Sequence, residues 1–173
     1  MKRFVLILLV VVGAVAALAP LAQAQMNNAT TTANAGVTMI TAIGIARTSH
    51  LNFGSVVAGA LLGTVVQTAA ASPVRSATGG TTLGSASAVT PATFNVTGQA
   101  NNTYAITLPS SAITISDGPD NMGVDTFTSS PSGTGTLDGS GAQTLYVGAT
   151  LHVGASQASG VYSGSFSVTV TYN

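Results

Sequence analysis

Residues 162–172, with the sequence YSGSFSVTVTY, alternate strictly between two kinds of side chain. Serine and threonine occupy the odd-numbered positions, and mostly larger apolar or aromatic residues occupy the even-numbered ones. Successive side chains of a β-strand point to opposite faces, so this alternation predicts a strand with one buried face. The expected inward side chains of this terminal strand are Tyr162, Phe166, Val168, Val170 and Tyr172.

Shorter segments with strand-like patterns recur through the rest of the chain. They are residues 43–46, 51–57, 63–68, 94–96, 104–108, 113–115, 124–128 and 145–153, the last with an expected bend at Gly148. Residues 69–91 are the least periodic, with a weak strand expected at 81–83, and residues 129–142 are expected to be a loop that buries almost nothing. Strands at this spacing, with turn residues between them and no helical pattern, predict an all-β fold, an immunoglobulin-like antiparallel β-sandwich.

The composition excludes several classes of function. Only 5% of the 173 residues are charged, against about 25% in ordinary domains, while there are 25 threonines and 18 serines. After the first two dozen residues the cations are Arg47 and Arg75, too few to neutralise nucleic-acid phosphates. No cysteine is present, which excludes disulfides, thiolate catalysis and cysteine-bound zinc. We expect no nucleic-acid partner and no small-molecule cofactor.

The first 24 residues have the features of a Sec signal peptide. Lys2 and Arg3 precede a mostly aliphatic run over residues 4–19, Pro20 follows it, and Ala22 and Ala24 flank the small-x-small cleavage pattern before Gln25. An uncleaved membrane anchor is the alternative. The expected organisation is a signal peptide over 1–24, an N-terminal extension over 25–42 and one β-sandwich domain over 43–173.

The N-terminal extension also alternates with period two over residues 27–39. One face carries Ala29, Thr31, Ala33, Ala35, Val37 and Met39. Because most of these side chains are small, a strand here would bury little by itself, and an unstructured tail fits the same sequence. This face is the candidate donor strand discussed below.

The residues able to perform chemistry are few. His50 and His152 are the only histidines, and no Gly-x-Ser-x-Gly nucleophile elbow accompanies them, so we expect a protein without enzymatic activity and without a catalytic or metal site. Asp117, Asp120, Asn121 and Asp125 lie close together in the sequence. Asp-Gly-Pro-Asp-Asn is first a turn sequence, and calcium binding by this loop stays an open alternative.

Several of these segments together resemble one bacterial family, domain-of-unknown-function family 4402. The resemblance is carried by Leu51-Asn52-Phe53-Gly54, residues 75–80 (RSATGG), residues 94–98 (FNVTG), residues 104–109 (YAITLP), residues 145–153 and residues 160–172. It covers most of residues 37–173 in order. The family is in turn similar to subunits of chaperone–usher pili, although many of those subunits carry a disulfide that this chain lacks.

This resemblance implies a function as well as a fold. The sandwich would be incomplete, and the N-terminal extension of a neighbouring subunit would complete it by donating a strand. The implied partners are like subunits, a periplasmic chaperone and an outer-membrane usher, and the implied route leads through the periplasm to the surface of a Gram-negative bacterium. The expected function is a structural, fimbria-like subunit. The alternative is a monomeric secreted domain that binds a ligand such as a glycan through its loops.

The signal-peptide interpretation predicts a mature protein that begins at Gln25. N-terminal sequencing of the exported protein tests this, because cleavage after Ala24 leaves Gln25 as the first residue. A sequence beginning at Met1 would show an anchored protein instead.

Overall fold

The computed structural model describes residues 28–85 and 88–173. Within these residues the protein is all-β and antiparallel, with no helix. The strands are β1 (Gly44–Ser49), β2 (Val56–Gln67), β3 (Arg75–Leu83), β4 (Ala92–Thr97), β5 (Thr103–Thr107), β6 (Ile113–Ser116), β7 (Asn121–Ser130), β8 (Thr134–Thr136), β9 (Ala142–Val153) and β10 (Thr169–Tyr172). They form two open sheets, one of seven strands and one of three, so the predicted β-sandwich is confirmed.

Strand β9 is the centre of the larger sheet. Strand β7 pairs with one edge of it, from Tyr146 to His152. The other edge is shared, because β4 pairs with residues 142–147 and β2 pairs with residues 149–153. The sheet therefore has one half with the order β1-β4-β9-β7 and another with the order β3-β2-β9-β7-β6.

Gly148 lies where the partner of β9 changes, at the position where the sequence predicts a bend. A Cβ atom at this position would collide with the carbonyl oxygen of Gln67, the last residue of β2. Only glycine allows the two backbones to approach this closely.

The three-stranded sheet, in the order β10-β5-β8, covers the first half of the larger sheet. The core between them is a cluster of buried side chains from both sheets and their connections: Ala92, Val96, Tyr104, Leu137, Leu145 and Val147. The Tyr104 hydroxyl donates a hydrogen bond of 2.7 Å to Gln143 Oε1, and burial raises the pKa of that phenol. This half is a two-layer sandwich with a packed interior.

The second half of the larger sheet has its own apolar cluster. Its buried members are Phe53, Val65, Val124, Ala149, Leu151 and Val153. Val65, Leu151, Val124 and Ile113 form one row across β2, β9, β7 and β6. Among the described residues, no side chain of β5, β8 or β10 belongs to this cluster or packs against it.

Three sequence-based assignments need correction. Residues 51–55 are not a strand, because Gly54 has a positive φ of 67° that interrupts the extended backbone. The strand predicted at 63–68 is the end of the 12-residue strand β2, which stops at Gln67, and the weak strand at 81–83 is the end of β3. Pairing with β2 makes β3 a strand although its own sequence has little apolar periodicity.

The predicted loop at 129–142 is also partly wrong, because it contains β8 and a core residue. Leu137 is 1% exposed. Asp138 folds the chain back behind it, with Oδ1 accepting hydrogen bonds from Ser140 and from the Ala142 amide. These bonds, that of the Ser140 side chain foremost, lower the pKa of Asp138 below its ordinary value of 3.8.

The chain divides into two compact units, Met1–Val37 and Thr38–Asn173. Of the first unit the structure describes residues 28–37, which are exposed and carry no strand. The predicted cleavage residues Ala22, Ala24 and Gln25 lie outside the described residues. None of the residues the structure describes forms a helix long and apolar enough to cross a membrane.

The burial of Leu137 predicts a large cost for shortening it. We expect Leu137→Ala to lower the free energy of unfolding by about 2–5 kcal/mol, because it leaves a cavity in the core. The neighbouring Thr136→Ala, at an exposed position, is the control and stays within about 0.5 kcal/mol of wild type. Urea denaturation measures both, and equal values for the two variants would contradict the assigned core.

Candidate functional site

An apolar groove of about 920 Å³ lies over the second half of the larger sheet, where the smaller sheet contributes no side chain. Its floor consists of residues from the uncovered cluster and its neighbours: Phe53, Ile113, Ile115, Met122, Val124, Leu151 and Val153. Three strands, β6, β7 and β9, and the loop that carries Phe53 therefore converge on it.

The first wall of the groove is the segment 50–58, which leads from the end of β1 into β2. Phe53 turns its side chain into the core from this wall. Asn52 forms an isolated backbone bridge with Thr90, and its side-chain oxygen accepts a 2.8 Å hydrogen bond from the Gly54 amide. These bonds shape the wall as a fixed turn.

The second wall is the segment 157–166, which precedes β10. It is attached at three places. The Ser156 amide donates to the Gly59 carbonyl at 2.7 Å, Gly160 packs directly against the Asp117 carboxylate, and Ser163 exchanges two backbone hydrogen bonds of 2.9 Å with Ser116. The Tyr162 hydroxyl donates to the Ala158 carbonyl and accepts from Gln157, which braces the wall internally.

The groove carries almost no charge. None of its lining residues is Asp, Glu, Lys or Arg, and the titratable side chains at it are His50 and Tyr162. Val161, on the second wall, is 89% exposed. The groove therefore presents an apolar floor, with uncharged polar side chains and backbone groups along its walls.

Backbone groups beside the groove lack strand partners. Within the described part of the chain, residues 164–168 belong to no ladder, and Gly164 and Phe166 among them line the groove. An edge of this kind can accept an additional strand through main-chain hydrogen bonds.

The terminal segment forms a shorter strand than its sequence predicts. Tyr162, Phe166, Val168, Val170 and Tyr172 are all half-buried, and the serines and threonines between them are exposed. Only Thr169–Tyr172 pair as a strand, so the expected strand from 162 is too long. Phe166 packs on Phe127 with ring centroids 4.9 Å apart, which joins the segment to β7.

Tyr172 fastens the end of the described chain to Gln99 and to Thr41, the latter near the end of the N-terminal extension. Its hydroxyl accepts a hydrogen bond of 2.6 Å from the Gln99 amide and donates one of 2.7 Å to the Thr41 carbonyl. The sequence identified Tyr172 as an inward residue, and the hydrogen bonds of its hydroxyl became visible only in the fold.

The candidate donor face lies in a segment that forms no strand in the structure. Ala29, Thr31, Ala33, Ala35, Val37 and Met39 are all exposed. Val37 and Met39, the two largest apolar side chains of this face, are 85% and 86% exposed. The segment is therefore free of ladder partners among the described residues.

The two histidines lie in different places, one at the groove and one on the outer face of the larger sheet. His50 is an exposed residue at the edge of the groove. His152 is on the outer face of β9, where its Nε2 is 2.8 Å from Asp125 Oδ1. The hydrogen bonds from His152, and then from Thr126, hold the pKa of Asp125 below its ordinary value of 3.8. No described hydroxyl hydrogen-bonds to His152.

The acidic loop forms the turn that its sequence predicts. The Asp120 amide donates to Asp117 Oδ1, and the Asp117 amide donates to the Asp120 carbonyl, both at 3.2 Å. Asp125 lies further along, in β7, beside His152. Across residues 28–85 and 88–173 no three acidic or histidine side chains are grouped so that they could hold a metal ion.

The geometry thus defines a β-sandwich whose candidate site is an uncharged groove between the segments 50–58 and 157–166. Residues 43–172 match the model of the family described as "Domain of unknown function (DUF4402)", and the chain belongs to that family. Neither the curated proteins nor the solved structures include a match to the chain.

Sequence reasoning missed how the groove is assembled. Residues 50–58 and 113–124 were expected as separate strands or turns, and nothing local indicates that they face the same space. The available signal was the alternation at Ile113, Ile115 and Val124. It indicates that these side chains face inward, but it does not identify the residues against which they pack.

The exposed position of His152 and Asp125 predicts a small effect on stability. We expect the double variant His50→Ala/His152→Ala to unfold within about 0.5 kcal/mol of wild type at pH 7, because exposed ion pairs contribute little. The lowered pKa of Asp125 adds stability above pH 3.8 that is lost as the pH falls through the folded-state value. The variant should therefore lose less stability below pH 3.8 than wild type.

Urea denaturation from pH 7 to pH 2 measures both effects, with Asp125→Asn as the matched variant on the other side of the pair. A loss of several kcal/mol at pH 7 would show instead that one histidine has a structural or ligand-binding role.

Proposed function

We propose that this protein is a non-enzymatic structural subunit of a bacterial surface fibre, assembled by β-strand addition between like subunits. The observation that carries the proposal is the apolar groove, whose floor is a buried cluster that no strand of the smaller sheet covers. In strand addition, backbone hydrogen bonds supply affinity and alternate side chains fill pockets, and this groove offers both unpaired backbone edges and an apolar floor.

The proposed occupant is the N-terminal extension of a second copy. Its candidate donor face is exposed and unpaired, and residues 27–42 contain no charged residue. The groove also lacks Asp, Glu, Lys and Arg, so entry of the segment buries no formal charge from either partner. Burial of an unpaired charge would be costly in such an environment.

The energetics of this contact depend on the backbone more than on the side chains. Four of the six donor-face residues are alanine or threonine, whose side chains have one and three heavy atoms. The free energy gained by moving a side chain out of water scales with the apolar area that it buries, so these four contribute little. A continuous ladder along the groove edge must therefore supply much of the affinity. Val37 and Met39 supply most of the apolar area.

The same proposal includes the route of the protein. A Sec signal peptide would export it, a periplasmic chaperone and an outer-membrane usher would handle the unfilled groove, and the assembled subunit would lie at the cell surface. The resemblance to pilus subunits supports this part, and the signal-like residues 1–24 agree with it.

The proposal predicts opposite outcomes for two neighbouring substitutions. Ala33→Asp should abolish polymer formation, because it places a charge on the face that enters the groove. Thr32→Asp, on the other face, should be tolerated. Heat-resistant ladders of surface-extracted protein on a denaturing gel measure polymer formation for both variants.

Cysteine cross-linking of the same chain locates the contact, because the sequence contains no cysteine. Val37→Cys together with Val161→Cys should give reduction-sensitive ladders. Val37→Cys with Val74→Cys is the matched control, since Val74 is 66% exposed but does not line the groove.

Two outcomes would refute strand addition and favour the monomeric ligand-binding domain. One is ladder formation by both Ala33→Asp and Thr32→Asp, and the other is the absence of ladders from wild type.

A further inference from the structure

Two segments that are separate in the sequence meet at the first wall of the groove. Residues 51–54 and residues 75–80 lie about twenty positions apart. In the fold, Arg75 at the start of β3 reaches back to residues 53–55. Its Nη1 donates hydrogen bonds to the Phe53 carbonyl and, at 3.1 Å, to the Ser55 carbonyl.

The Arg75 guanidinium hydrogen-bonds to main-chain carbonyls rather than to a carboxylate. The only ion pair among the described residues joins His152 to Asp125, so Arg75 has no carboxylate partner there. Hydrogen bonds from a guanidinium are stronger than neutral ones, and one nitrogen here holds two carbonyls of the same turn. In a chain with 5% charged residues, one of the two described arginines thus holds the backbone of the groove wall without itself lining the groove.

The rest of the wall depends on the same turn. Gly54 has a φ of 67°, its amide is held by Asn52, and the Gly84 amide donates to the Ser55 carbonyl at 3.0 Å. Phe53, between these contacts, belongs to the floor of the groove. The turn thus fixes both the wall and one floor side chain before anything binds.

We propose that Arg75 is a positioning residue for strand acceptance: it preforms the first wall of the groove and holds Phe53 in the floor. This inference rests on the proposed function and deepens it. A wall that is already ordered lowers the entropic cost of binding a strand, so loss of the guanidinium should weaken binding by the folded protein. The incoming strand need not touch Arg75 for this effect.

The test measures binding of a synthetic, fluorescently labelled peptide with the sequence of residues 27–41. The host is the mature chain carrying Ala33→Asp, whose own extension cannot compete for the groove under the proposed function. We expect Arg75→Gln to weaken the peptide Kd at least tenfold and Arg75→Lys to weaken it by a smaller factor. Arg47→Gln is the matched control, because Arg47 is exposed and does not line the groove, and it should leave Kd unchanged.

Affinities are compared at a temperature well below each variant's unfolding midpoint, so that a loss of stability alone does not change Kd. Asn52→Ala, which releases the Gly54 amide in the same turn, gives an independent variant if Arg75→Gln does not fold, and it should also weaken binding. If the host binds the peptide and Arg75→Gln binds it as tightly, or, where Arg75→Gln does not fold, Arg75→Lys and Asn52→Ala both do, Arg75 has no positioning role although strand addition stands. If the host itself does not bind the peptide, strand addition is wrong and the inference falls with it.

Discussion

The pairing of one edge of β9 with two different strands determines the rest of the architecture. With β4 along its first part and β2 along its second, a single strand belongs to two sheet halves. The smaller sheet is long enough to cover only the half built on β4, because β5, β8 and β10 have five, three and four residues. The half built on β2 is left with an apolar face, and the groove is the direct result.

The near absence of charge is consistent with this architecture. Threonine and serine occupy many outward positions of the larger sheet, and Thr64 and Thr78, opposite each other on β2 and β3, share a 2.7 Å hydrogen bond. Cross-strand hydroxyl pairs and β-branched side chains stabilise a sheet without ion pairs. Such a surface can pack against identical neighbours without electrostatic repulsion, which suits the proposed fibre.

The sequence predicted the parts of the fold that depend on local periodicity. The alternation of residues 145–153 predicted a face that is buried, that of residues 162–172 predicted a face that is half-buried, and Gly148 lies where the partner of β9 changes. Prediction from the sequence failed where the structure of a segment depends on contacts with residues outside it. Leu137 is a single apolar residue in a polar run, and its burial depends on the turn that Asp138 makes with residues 140–142. Of the candidate site, the sequence indicated Tyr162 and Phe166 on one wall but not the wall held by Arg75, since no periodicity encodes a side chain that reaches across from β3.

The unpaired backbone near the groove explains why assembly by strand addition would be favourable. Soluble proteins usually guard exposed edges with lysine, proline or inward charges, because open backbone groups pair with other chains. Strand β10 has the sequence Thr169-Val170-Thr171-Tyr172, and residues 164–168 before it are Gly, Ser and apolar residues, so neither carries such a guard. In a monomer the unpaired backbone of residues 164–168, of which Gly164 and Phe166 line the groove, would favour uncontrolled association. In a subunit that receives a strand at this place the same edge is satisfied on assembly, and an uncharged donor segment is the kind of partner that can pair with it without introducing a buried charge.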